Sequence, residues 1–205
     1  MYLPEAFAVT DQSEINDLLA RIPLGSLITY GPDGLFASHL PFVHDPAGGV
    51  LAGHLARANP HCGRAGEGPA LVIFQGADAY VTPSWYPGKA EHGKVVPTWN
   101  YEAVHVYGAV VWREEPEWLR ANVEALTRRF EADQPRPWAV DDAPRGYIDK
   151  LARAIIGVEF RIERIEAKRK LSQNRPEADR RGVISGLAGG EAEQGRRVAG
   201  LMRDL

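Results

Sequence analysis

The feature that most constrains this chain is the run at residues 101–112, which is almost continuously apolar or aromatic. Val104, Val106, Gly108, Val110 and Trp112 fall on one side of a period-two strand. Tyr101, Ala103, His105, Tyr107, Ala109 and Val111 fall on the other. A strand apolar on both faces is buried on both faces, so this one belongs inside a sheet. It is approached through Pro97-Thr98-Trp99-Asn100-Tyr101, read as a polar-aromatic loop. Two readings stand at this point. The loop is one wall of a site for a planar ligand at the mouth of a β-structure, or it is the aromatic lead-in to a buried strand.

The flanking segments favour β-structure. Asp11-Gln12-Ser13-Glu14 reads as a capping box that opens a short helix carrying Ile15, Leu18, Leu19 and Ile22, stopped by Pro23. Strands are expected over 24–30, 35–43 and 50–55, the first two joined by the turn Gly31-Pro32-Asp33-Gly34. Pro41 cannot donate to a ladder, which places the second strand at an edge or on a bulge. A short helix is expected over 59–65 with Asn59 as its cap, then strands over 70–76 and 79–82 and a long polar-aromatic loop over 83–93. Leu119, Val123, Leu126 and Phe130 recur at helical spacing within 116–134, and a second helix over 144–154 is expected to bury Ile148, Leu151 and Ile155. A long strand over 156–167 slips phase near Glu163-Arg164 and passes into a polar loop over 168–176. The last thirty or so residues hold two short helical stretches split at Gly189-Gly190, read as a surface pair. About six strands in a meander, with no parallel βα alternation, point to a small antiparallel barrel with helical decoration, a mainly β fold with added helices.

Composition bounds the function classes. The chain has 205 residues, formal net charge -3, 44% hydrophobic and 25% charged residues. These values suit one globular core and argue against a surface that is all nucleic-acid footprint. With one cysteine, Cys62, no intramolecular disulfide is possible, which fits a reducing compartment. No apolar run approaches membrane-spanning length and the N-terminus does not read as a secretory signal, so a cytoplasmic location is expected.

Several motifs fail on inspection. Gly88-Lys89-Ala90-Glu91-His92-Gly93-Lys94 satisfies G-x-x-x-x-G-K, but Val95 follows where a P-loop needs a hydroxyl, and Val96-Pro97 cannot open a helix. A flexible basic loop is the better reading. There is no G-x-G-x-x-G and no G-x-S-x-G. The six histidines show no H-x-x-x-H spacing, so no metal ligand is assigned. No buried acid pair is visible, and no catalytic residue is assigned.

Three clusters survive. Residues 53–60 (GHLARANP) offer an imidazole, a cation and backbone N–H groups suited to a phosphate, or form a plain strand-to-helix turn. Ser84-Trp85-Tyr86 with Thr98-Trp99-Asn100-Tyr101 offer stacking faces and hydrogen bonds for a flat heterocycle, or simply pack together. Residues 168–174 add cations, a hydroxyl and amides, or form a solvated exit loop.

Together these stretches resemble the PaiB family of FMN-binding negative transcriptional regulators. The resemblance is carried by Met1-Tyr2-Leu3-Pro4 with Phe7, His39-Leu40-Pro41-Phe42, GHLARANP at 53–60, AYVTPSWY at 79–86, VPTWNY at 96–101 and KLSQNR at 170–175. It implies a split β-barrel like that of pyridoxamine-phosphate oxidases, with a homodimer binding FMN at the subunit interface. On this resemblance residues 1–175 form the FMN-binding domain, with a helical insertion at about 116–155, and 176–205 form a helical extension. His54, Arg57 and Asn59 would serve the phosphate and ribityl end. His39, Leu40 and Pro41 would lie along the ring. Thr98, Trp99 and Asn100, with Lys170, Ser172 and Gln173, would close the site, and Trp85 belongs to the aromatic cluster beside them. The chain departs from the family at His61-Cys62, where an aromatic residue is usual nearby.

The expected function is that of an FMN-binding repressor. An FMN-dependent oxidoreductase or flavin reductase is the alternative, and a haem-binding split barrel using His54 or His105 is a third. No helix-turn-helix is visible. DNA contact, direct or through a partner, would fall to the arginines of the C-terminal segment.

Overall fold

The computed structural model describes residues 1–64 and 68–205. In chain order it comprises β1 (Ala8–Val9), α1 (Gln12–Arg21), β2 (Leu24–Gly31), β3 (Gly34–Pro41), β4 (Val43–Asp45), β5 (Val50–Ala56), α2 (His61–Arg64), β6 (Ala70–Val81), α3 (Gly88–His92), β7 (Thr98–Arg113), α4 (Pro116–Glu131), α5 (Arg145–Ala152), β8 (Ile155–Lys170), α6 (Glu177–Ala188) and α7 (Glu193–Arg203). The strands join in one antiparallel sheet in the order β3-β2-β6-β7-β8-β5-β4, with β1 pairing β8. Strand β7 is central in the order, and β3, which carries Pro41, lies at an edge. Strand β7 is buried on one face at Val104, Val106 and Gly108, but His105, Tyr107, Ala109 and Val111 on the other are only half-buried, so the expected burial on both faces holds for one. Among the described residues, no helix is long and apolar enough to cross a membrane.

The chain divides into two compact units. One comprises residues 16–74 and 105–165, the other residues 1–15, 75–104 and 166–205. In the first, β2 pairs β3 from Leu24↔Pro41 to Gly31↔Gly34, and β5 pairs β8 from Val50↔Arg161 to Ala56↔Ile155. Leu27, Phe42, Leu51, Phe74, Val106, Val158 and Phe160 fill its core. Burial of such a side chain stabilises by about 1.5–3 kcal/mol. Gly108 is required here, because a Cβ would collide with the Arg161 carbonyl oxygen and press the Phe160 ring.

In the second unit Asp11 caps α1, its Oδ1 accepting from the N–H of Ser13 at 2.9 Å and of Glu14 at 3.1 Å. Helices α6 and α7 are not a surface pair. Val183, Leu187, Val198, Ala199 and Met202 form a core with Val81, Tyr86 and Leu171. Glycine permits the close fit: a Cβ on Gly186 would strike the Trp85 indole, and one on Gly182 would strike the Trp85 carbonyl oxygen.

Four further expectations are corrected. Residues 70–81 form one strand, with no turn at 77–78. The 83–93 loop contains a 3-10 helix (Pro83–Trp85) and α3, so the basic G-x-x-x-x-G-K segment is largely helical, closed by Gly93 at φ 66°. Thr98, Trp99 and Asn100 belong to β7, and residues 168–170 to β8, because the ladder between these strands extends past the apolar run. Helix α5 buries no residue, and Leu151 is 47% exposed. Helical spacing predicts the apolar stripe but does not supply a surface to cover it. The helix expected over 59–65 ends outside the described residues.

Candidate functional site

The second unit contains a small cleft of about 120 Å³ lined by Phe7, Thr98, Asn100, Lys170, Ser172, Asn174 and Arg175. Its floor is a hydrogen-bonded pair. Asn100 is fully buried; its Nδ2 donates to Ser172 Oγ at 3.0 Å, and its Oδ1 accepts from the same hydroxyl at 3.2 Å. Ser172 adopts φ 64°, a left-handed conformation that a non-glycine residue enters only when held there. Gln173 does the holding: its Oε1 accepts from the Leu171 N–H at 2.7 Å and its Nε2 donates to the Arg169 carbonyl at 2.6 Å. The backbone turns back at once, with the Arg175 N–H donating to the Ser172 carbonyl at 3.0 Å.

Lys170 reaches from β8 to β7, donating to Thr98 Oγ1 and to the Trp99 carbonyl. Burial pushes its ammonium below the ordinary lysine range, and the positive charges of Lys168 and Arg175 push it further. No carboxylate is among the described residues that line the cleft. The Arg175 guanidinium sits over the Tyr86 ring at 5.3 Å. On the neighbouring position of β7, Trp99 is 49% exposed; its Nε1 donates to Asp78 Oδ2 at 2.7 Å and its ring lies 6.0 Å from that of Tyr80, also 49% exposed. This donor set suits anionic oxygens, and the exposed indole and phenol suit a planar ring.

The site residues expected in the first unit are engaged internally. His54 Nδ1 bonds Asn122 Oδ1 of α4 at 3.0 Å. Arg57 donates to Glu114 Oε2 at 3.0 Å and to the Arg153 carbonyl at 3.3 Å. Asn59 accepts from the His61 N–H at 2.9 Å and donates to Ser38 Oγ at 3.1 Å. His39 is exposed and pairs with Ser26 Oγ at 2.9 Å, Leu40 is core, and Pro41 is half-buried at the end of its strand. His61 spends both ring nitrogens on the hydroxyls of Thr29 and Ser38, each at 2.9 Å, so it is no base for Cys62, whose thiol burial pushes up.

The fold therefore gathers Thr98, Asn100, Lys170 and Ser172 around one cleft, with Gln173 bracing the backbone, while Trp99 faces the other side of β7. Trp85 instead packs against α6. Three lining residues were not assigned from the sequence: Phe7, Asn174 and Arg175. Asn174 and Arg175 were visible within KLSQNR, but nothing local distinguished a lining side chain from a solvated one.

Residues 1–164 match the family model described as "Putative FMN-binding domain". The chain belongs to this family, as a PaiB-like homologue with the split-barrel architecture of pyridoxamine-phosphate oxidases, an antiparallel sheet core flanked by helices. Among its relatives, the protease synthase and sporulation protein PAI 2 of Bacillus subtilis (strain 168) is 33% identical over 208 residues, covering 100% of this chain and 97% of that protein. An uncharacterised protein of Emericella nidulans is 34% identical over 243 residues, with 100% and 97% covered. Two solved structures share the fold. The FAD and haem binding protein from Mycobacterium smegmatis has a TM-score of 0.60 at 20% identity, covering 89% of this chain and 80% of that one. A conserved hypothetical protein from Mycobacterium tuberculosis has a TM-score of 0.61 at 16% identity, with 86% and 95% covered.

Proposed function

We propose that the chain binds FMN and acts as an FMN-dependent oxidoreductase of the flavin-reductase kind. One arrangement carries the reading: the cleft gathers cations and amides with no carboxylate among its described lining residues, and Trp99 of β7 with Tyr80 of β6 forms an exposed aromatic pair nearby in sequence, on the other face of β7. Membership of a family described as FMN-binding supports it, as does the likeness in fold to a solved FAD and haem binding protein. Bound FMN supplies a two-electron carrier. The chain's own residues hold it, with Lys170 as the cation, Thr98 as a polar contact and the Asn100–Ser172 pair as the floor.

A second reading, as a repressor, is the one the resemblance to the PaiB regulators implies. Three of the C-terminal arginines are engaged in local contacts. Arg181 pairs with Glu177 at 2.8 Å and Arg197 with Glu193 at 2.7 Å, within their own helices, and Arg196 donates to the Gly190 carbonyl at 3.0 Å. A homodimer is part of the proposal. Leu24, Tyr30 and Leu35 are exposed on the β2–β3 hairpin, with Tyr30 and Leu35 directly opposite, and would be covered by a second copy.

The absorbance spectrum of gently purified protein tests the reading. A flavin spectrum bleached by NAD(P)H is the expected result. A flavin that NAD(P)H leaves oxidised, together with salt-sensitive retardation of a promoter fragment, would favour the repressor. A Soret band would indicate haem. Colourless protein that takes up no added FMN would overturn both flavin readings.

A further inference from the structure

We propose that the cleft between Lys170 and Arg175 is a phosphate-monoester subsite. Its volume, about 120 Å³, is ample for one tetrahedral group. Two cations border it, and their charge is not balanced within the lining. Among the described residues Arg175 makes no ion pair or side-chain hydrogen bond, only the approach to the Tyr86 ring. The exposed Asn174 amide has no partner there either. An ammonium has three donors, and Lys170 spends two of them on Thr98 and the Trp99 carbonyl. The nearby acid Asp179 is already used: it is buried, and its Oδ1 accepts from the Gly88 N–H at 3.1 Å. The donors are held in place in advance, by the Asn100–Ser172 pair below and the Gln173 brace behind. The turn at residues 54–59 lacks this character, since Arg57 is already bonded to Glu114 and to a carbonyl.

The phosphate has two sources: the acid end of FMN itself, or the acid group of a second ligand. The choice of FMN rests on the flavin reading above, whereas the subsite does not. The probe is inorganic phosphate, titrated by calorimetry into the wild-type chain and into Arg175→Gln and Asn174→Ala. Both positions lie outside the core, and thermal melting checks that each variant folds. Phosphate is expected to bind the wild type and to weaken about tenfold or more in Arg175→Gln, with a smaller loss in Asn174→Ala. Parallel fluorescence titrations of FMN and riboflavin identify the source. If the flavin phosphate occupies the cleft, Arg175→Gln weakens FMN about tenfold and leaves riboflavin unchanged, and phosphate competes with FMN. If a second ligand occupies it, FMN affinity is the same in the variant and phosphate still binds the FMN-loaded protein. Absence of phosphate binding, or equal binding by wild type and both variants, overturns the subsite even where FMN binds normally. Phosphate binding through Arg175 in a chain that takes up no flavin overturns the flavin reading and leaves the subsite standing.

Discussion

Burial of His61 makes it a residue whose charge the fold works against. The ring is fully buried, sits edge-on to Phe36 and Trp112, and meets only the hydroxyls of Thr29 and Ser38 as polar partners. Burial holds its pKa below the ordinary 6.5. His44 is lowered as well, first by burial; Asp45 opposes the shift and Arg129 adds to it. Between the folded and unfolded pKa values the unfolded chain binds more protons, so stability falls as pH drops below about 6.5. Thermal melts from about pH 7.5 to 5.5 should show this fall. His61→Phe should reduce the pH dependence, at a cost of about 1–3 kcal/mol for the two hydroxyls left without their partner. An unchanged slope would exclude His61 as a source. Asn100 is the corresponding residue in the other unit. Asn100→Leu should cost about 1–3 kcal/mol in denaturant melts, because Ser172 then lacks its partner while held in a left-handed conformation. It should weaken FMN binding too, by releasing the backbone that aims Asn174 and Arg175.

Among the elements, those with a strong period were legible. The α1 cap, the β2–β3 hairpin, the central position of β7 and the existence of α4, α6 and α7 all follow from spacing and turn chemistry. Strand extents were less legible. Polar Thr98 and Asn100, and Lys168 and Lys170, look like loop residues, yet they lie in paired strands because a ladder is stabilised by its partner strand as well as by its side chains. The packing of α6 was hidden for a related reason. Its Gly182 and Gly186 read as weak helix formers, but tertiary contact makes them the surface on which Trp85 lies. Gly186→Val should therefore displace the indole and destabilise the chain by about 1–3 kcal/mol, more than the exposed Gly190→Ala would. Tryptophan fluorescence of the variant, compared with wild type, checks the displacement.

In the molecule as a whole, the C-terminal segment is part of a core and not an appendage. Val198, Ala199 and Met202 of α7 are buried against α6, and Met202 Sδ lies 3.5 Å from Asn100 Nδ2 under the cleft. Truncation after residue 190 should expose Leu171, Val183 and Leu187 and cost several kcal/mol, with loss of FMN uptake in the same preparation. Unfolding titrations of the truncated and full chains, each with and without FMN, test both effects. An unchanged midpoint with unchanged uptake would restore the segment to a surface role.

The sequence by itself determined the architecture and its family, because period-two burial, turn residues and ordered motifs are local properties of the chain. The division of KLSQNR into a strand end, a buried serine, a backbone brace and two free donors was decided only by the tertiary structure. So was the engagement of Arg57, which any local reading leaves available. A side chain's availability depends on which other segment meets it, and Glu114 and the Arg153 carbonyl are brought to Arg57 by the fold alone.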